Sequence, residues 1–408
     1  MSFFASCIDR IEPSTSHEIE ESAIDLRTKR IPYHSEQFSA LRNFIHQVRK
    51  ELYSTPLLQR DYLPNLGSHE FSHAARRLCF GPSHPILQQH RILGIQTIGG
   101  YGALQVAAHF LARKVHLNRI YIPQPTWGEH HDIFASYGFL VIGLGWKKCD
   151  EIGCGFIEEV RNAEKRSAIL LQPSAHNPTG RNLSKSEWME LFEVLIEREI
   201  VPLFDMAYQG LGQGLAEDAW PIREFAKTDR EFLVAQSFAA NFYLFDESLG
   251  HLICGILPNQ PQKVIENTYT TFARIVQVKW ANPAFFGCRL VAEVLESPKL
   301  LEEWKNALRA VRNELDNERN ALKMALETRK LAGPAKCLGQ SQGIYVQIEL
   351  QDDEIRKLRS DHRVYVEENG SLCLANFNNT NRSLFCDALE QVLSSNSNNN
   401  YQENAPLN

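Results

Sequence analysis

The stretch Gln236-Ser237-Phe238-Ala239-Ala240-Asn241-Phe242-Tyr243-Leu244-Phe245-Asp246-Glu247-Ser248-Leu249-Gly250 decides the reading of this chain. It opens at the end of one short apolar run, Phe232 to Gln236, and closes where another begins, His251 to Gly255. Short apolar runs bounded by turn residues read as buried strands. Four more precede them: Arg119 to Ile122, Phe139 to Gly143, Ala168 to Gln172 and Val201 to Phe204. Helical patterns separate several of these runs, among them Ser184 to Arg198, whose Ser184 and Glu187 have the spacing of a capping box. Strands alternating with helices predict an α/β fold, a large domain with a mostly parallel sheet flanked by helices.

Beyond residue 300 the pattern changes. A long charged helix is expected over 302–329, strands over 343–350, 364–367 and 372–375, and a last helix over 382–393. Together these predict a second, smaller α/β domain. The expected division is an N-terminal arm and part of the small domain over 1–37, a large domain over 38–311, a small domain over 312–393, and a Ser- and Asn-rich disordered tail over 394–408.

With 408 residues, 43% hydrophobic and 23% charged, the chain can bury a large core. The net charge is -6 and the lysines and arginines are scattered, which argues against a nucleic-acid footprint. Nine dispersed cysteines without metal-ligand spacing predict a reduced, intracellular protein. Met1 to Leu26 has no apolar core and carries Glu18, Glu20 and Glu21, so neither secretion nor organellar import is expected and the predicted location is cytoplasmic. No apolar run approaches ~18 residues, so no membrane helix is expected. Gly210-Leu211-Gly212-Gln213-Gly214 follows Tyr208 instead of opening a helix and reads as a turn.

Four segments follow expected strands and would gather at the carboxyl edge of the sheet. They are Pro125-Thr126-Trp127-Gly128, Ala175-His176-Asn177-Pro178-Thr179-Gly180, Phe204-Asp205-Met206-Ala207-Tyr208-Gln209-Gly210, and the stretch quoted above. In this order and spacing they resemble the aspartate aminotransferases, pyridoxal phosphate enzymes of fold type I, and most of all the cytosolic form. Asp61-Tyr62-Leu63-Pro64, Gly100-Tyr101-Gly102-Ala103-Leu104, Trp280-Ala281-Asn282-Pro283 and Gly287-Cys288-Arg289 extend the likeness over roughly residues 60 to 390.

The resemblance implies a cofactor site. Trp127 would stack on the pyridine ring, Asp205 would pair with the ring nitrogen, steadied by His130, and Asn177 and Tyr208 would bond the ring hydroxyl. Ser237 and Gly100 would face the phosphate, and Tyr62 would reach it from the neighbouring subunit of the family dimer. The residues that resemblance assigns to catalysis are missing. Ala240 stands where the family has its Schiff-base lysine, Ser248 where an arginine clamps the phosphate, and Gln277 and Ser371 where two arginines grip the substrate carboxylates. No catalytic residue is therefore expected intact, because aldehyde capture needs a primary amine and proton transfer needs a titratable group in reach. Three readings follow: an inactive homologue in which any cofactor is held without a covalent bond, an enzyme of altered chemistry, or a regulatory chain. Homodimers, or mixed dimers with an active relative, are the expected assemblies.

Overall fold

The computed structural model describes residues 24–27, 35–54, 61–89, 91–146 and 153–402. The central sheet has seven strands: β1 (Ile92–Ile98), β2 (Arg119–Gln124), β3 (Leu140–Gly145), β4 (Ala168–Leu171), β5 (Val201–Met206), β6 (Phe232–Ser237) and β7 (Leu249–Gly255). They lie in the order β1-β7-β6-β5-β4-β2-β3. Strands β2 to β6 pair in parallel, and β7 runs antiparallel to both β6 and β1. The six strands expected from apolar runs are all present, and β1 joins them.

Helices cover both faces, so the side chains of each inner strand alternate between two apolar layers. In β4, Ile169 and Leu171 enter a layer with Trp188, Phe192 and Phe204, whereas Leu170 enters the opposite one with Ile120, Leu203 and Leu233. Each such burial contributes about 1.5–3 kcal/mol relative to exposure. The helix Lys185–Glu197 is set on the sheet by Trp188, Leu191 and Leu195. Its start is the expected capping box: Glu187 N donates to Ser184 Oγ at 3.3 Å, and Ser184 N donates to Glu187 Oε2 at 2.6 Å.

The Gly210–Gly214 segment is a turn whose amides are already used. The N–H groups of Gly210, Gly212 and Gln213 donate to the Asp218 carboxylate at 2.8–3.0 Å. Burial pushes the Asp218 carboxyl up to about 6, against those hydrogen bonds.

The later elements are shorter or longer than their sequence suggests. The long helix starts at Pro298, with Ser297 as N-cap, and ends at Thr328. The strand expected over 343–350 is reduced to Tyr345–Gln347, paired antiparallel with Ser371–Cys373. A short helical turn, Leu374–Asn376, replaces the end of the strand expected over 372–375. The strand expected over 364–367 keeps only Val364–Tyr365, parallel to Ile24–Asp25. The tail needs a correction: the last helix runs from Asn379 to Gln402, past the expected end at residue 393. Ser and Asn are mediocre helix formers, but this segment holds no Gly or Pro to break it. Most of the N-terminal arm and residues 403–408 lie outside the described residues.

Among the described residues no helix is long and apolar enough to cross a membrane, and no cluster of His, Cys, Asp and Glu could hold a metal ion. The cysteines Cys79, Cys254, Cys288, Cys337, Cys373 and Cys386 are buried and form no disulfide.

Candidate functional site

The carboxyl ends of the parallel strands open into a cleft of about 1140 Å³. Gly100 comes from the start of the helix Gly99–Arg113 that follows β1, Trp127 from the turn after β2, Asn177 from the loop after β4, Asp205 and Tyr208 from the end of β5 and just beyond it, and Ser237 and Ala240 from the end of β6 and just beyond it; all line this cleft. Two glycines show how tightly the loops are drawn in. A Cβ on Gly180 (φ +67°) would lie 2.3 Å from the Tyr345 carbonyl oxygen, and one on Gly100 would lie 3.1 Å from Ser237 Cβ.

One wall is a connected polar network. His130, fully buried, holds Thr126 Oγ1 through Nδ1 at 2.8 Å and Asp205 Oδ2 through Nε2 at 3.0 Å. Asn177 is fixed by Gln172: its N–H donates to Gln172 Oε1 at 2.8 Å, and Gln172 Nε2 donates to its carbonyl at 2.9 Å. Asn177 Nδ2 then donates to the Tyr208 hydroxyl at 3.1 Å, which donates on to Tyr345 at 3.5 Å. Burial pushes the Tyr208 phenol up to about 12, so it remains a neutral donor at physiological pH. Trp127 stands edge-to-face against Tyr101, ring centres 4.6 Å apart. Behind the cleft, His176 stacks on Trp146 at 4.7 Å, and burial lowers its pKa to about 3.

The opposite end differs. Ala240 is 3% exposed and lies among Phe238, Phe242 and Leu244. Ser248 backs onto Gly99, whose added Cβ would lie 3.9 Å from Ser248 Cβ, and it lines a second cavity of about 490 Å³ together with Tyr62. Tyr62 is 86% exposed and does not line the main cleft. Gln277 accepts from Asn65 Nδ2 at 2.6 Å, away from the cleft. Ser371 is fully buried and donates to Asn369, which does line the cleft. Sequence reasoning missed Gln172, Tyr243 and Tyr345. The first carried a signal, since it ends the apolar run of β4 just ahead of the Asn177 loop; the other two reach the cleft only through the fold.

A family model for aminotransferase class I and II matches residues 32–389. The chain belongs to that family. It is 30% identical over 355 residues to the cytoplasmic aspartate aminotransferase of Caenorhabditis elegans, covering 86% of each chain. It is 32% identical over 337 residues to the aromatic-amino-acid aminotransferase of Escherichia coli, covering 81% of this chain and 84% of that one. Among solved structures, the aromatic-amino-acid aminotransferase of Burkholderia pseudomallei covalently bound to pyridoxal phosphate matches with a TM-score of 0.88 at 24% identity, over 96% of this chain and 100% of that one. The fold is that of the type I aminotransferases, and pyridoxal phosphate is the cofactor which family resemblance assigns to it.

The residues present fit that cofactor at one end only. Asp205, Asn177, Tyr208 and Trp127 offer a carboxylate, two hydrogen-bonding groups and an indole face to a pyridine ring. Among the described residues neither an amine to hold the aldehyde nor a guanidinium to hold the phosphate stands at the other end, where Ala240, Ser237 and Ser248 are uncharged. The only cations among the described residues lining the cleft are Arg27 and Arg359.

Proposed function

We propose that this chain is an aspartate-aminotransferase-like protein without transaminase activity, a pseudoenzyme. The observation that carries the reading is the buried methyl of Ala240 at the floor of the cleft, with no lysine among the described lining residues. One positioned acid–base group contributes typically about 10²–10⁴-fold to rate, and no other described side chain there supplies an amine. Trp127, Asn177, Asp205, Tyr208, Ser237 and Gly100 are read as the remains of the cofactor site, and Tyr62 as a group offered to the neighbouring subunit. The same reading divides the chain into large and small domains over 38–311 and 312–393, and makes it a cytoplasmic homodimer.

A regulatory role in a mixed dimer is the second reading. It is favoured by the outward position of Tyr62 and by Gln277, an uncharged group engaged with Asn65, at two positions that resemblance assigns to the partner's site. A partner completed by this chain would lack the arginine that reads the distal carboxylate.

The deciding measurement is the absorption spectrum of the purified protein with added pyridoxal phosphate, before and after dialysis, beside Ala240→Lys. Expected is no retained chromophore in the wild type and no aspartate-to-2-oxoglutarate transfer. A chromophore that survives dialysis and responds to an amino acid would instead establish an enzyme of altered chemistry.

A further inference from the structure

We propose that the cleft takes a cationic aromatic amine, not an amino dicarboxylate. This rests on the reading of the cleft as a ligand site that has lost its original chemistry. Among the described residues four carboxylates line it, Glu129, Asp205, Glu367 and Glu368, against two guanidiniums, Arg27 and Arg359, leaving a formal charge of −2.

Arg27 is already engaged by a carboxylate, whereas Arg359 keeps a buried Nε without a hydrogen-bond partner. Arg27 donates through Nε and Nη2 to the two oxygens of Asp25, at 2.9 and 3.1 Å, and Asp25 is outside the lining. Arg27 and Arg359 also lie 5.5 and 5.8 Å from the centre of one ring, Tyr365. The two positions that resemblance places across a dimer, Tyr62 and Gln277, would add no charge.

Six aromatic residues are also among the described lining: Tyr101, Trp127, Tyr208, Tyr243, Phe245 and Tyr345. Ring faces attract a desolvated ammonium through their quadrupoles, and carboxylates at the mouth attract it at longer range. Glu129 lines the cleft with Tyr101, whose phenol is pushed up to about 12 by burial and the nearby Glu129 charge, and Tyr101 stands against the Trp127 ring. Ala240 leaves the floor without the positive charge that would repel such a ligand.

The test is isothermal titration of the full-length protein with tyramine and with 3-(4-hydroxyphenyl)propanoate, two probes with the same ring and spacer but opposite charge. Tyramine is expected to bind about tenfold or more tightly than the acid. The double variant Glu129→Gln/Glu368→Gln should weaken tyramine about tenfold and narrow the gap between the probes. The proposal is overturned if the acid binds as well as tyramine, if neither binds, or if the double variant binds tyramine like the wild type. The two readings fail separately. A dialysis-stable chromophore ends the inactive reading whatever the probes do, whereas preference for the acid with no chromophore ends only the amine proposal.

Discussion

At one end of the cleft the side chains hold one another: Thr126, His130 and Asp205 form a chain of hydrogen bonds, and Gln172, Asn177, Tyr208 and Tyr345 form a second. At the other end Ala240 is a bare methyl, and Ser248, lining the second cavity, is an exposed hydroxyl. The difference separates two reasons for a residue to stand at a ligand site. Groups satisfied by their protein neighbours stabilise the fold whether or not a ligand comes, because removing one strands its partner in a dry interior. Groups whose partner is the ligand alone contribute nothing to an empty protein. The ring-side residues are thus weak support for cofactor binding, and the phosphate side is the better witness.

Breaking the first network gives the largest expected effect. Asp205→Ala leaves buried His130 Nε2 without its partner and should destabilise the protein by about 3 kcal/mol, read from denaturant unfolding. Ser237→Ala at the opposite end should change stability by less than about 0.5 kcal/mol. Equal losses at both positions would erase the contrast.

The legibility of the sequence follows the same division. Strands β2 and β4 to β7 could be read because they are buried on both faces, which forces near-continuous apolar runs, while the half-exposed edge strand β3 is legible from its apolar run alone. Strand β1 escaped because Gly94 and Gln96 interrupt its run, and both are required by packing. A Cβ on Gly94 would lie 2.1 Å from Ser72 Oγ and 2.6 Å from His251 Nε2, and Gln96 Nε2 donates to the Ala284 carbonyl at 2.7 Å. Ala240 could be read because its neighbours form a contiguous motif. The charge at the mouth of the cleft could not, since Glu129, Arg359 and Glu368 meet only through tertiary structure.

The buried interior also carries a pH signature of intermediate size. Burial lowers the pKa of His176 and His251 to about 3, so both are neutral in the folded protein while the unfolded chain protonates near their ordinary 6.5. Their contribution is complete above pH 6.5 and falls as pH drops, because unfolding then takes up two protons. Asp218, raised to about 6, acts the other way: between pH 6 and its ordinary value near 4 the folded state binds the extra proton. Across these three groups the difference is one proton, which contributes a fall in stability of about 1.4 kcal/mol per pH unit between pH 6 and 4. His176→Phe keeps a ring against Trp146 and should lower the measured slope by about 1.4 kcal/mol per pH unit, read from urea unfolding at several pH values. An unchanged slope would place the signature elsewhere.

The smallest effect on stability is expected at the uncharged end, where it separates structure from binding most cleanly. Ser248 is exposed and already has a left-handed backbone, φ +44°, so another non-glycine side chain brings no new strain. Ser248→Arg should therefore leave stability within about 0.5 kcal/mol of wild type. It places a guanidinium beside Gly99 and the start of the helix Gly99–Arg113, whose free N–H groups favour an anion but supply no full charge. Pyridoxal phosphate affinity should rise about tenfold from the new charge-assisted hydrogen bonds, measured by equilibrium dialysis. A gain of that size with no change in stability would mean that the missing charge, and not a collapsed cleft, is what weakens binding. No gain, despite an unaltered fold, would locate the obstacle in the cleft itself, where Tyr101 leans on Trp127.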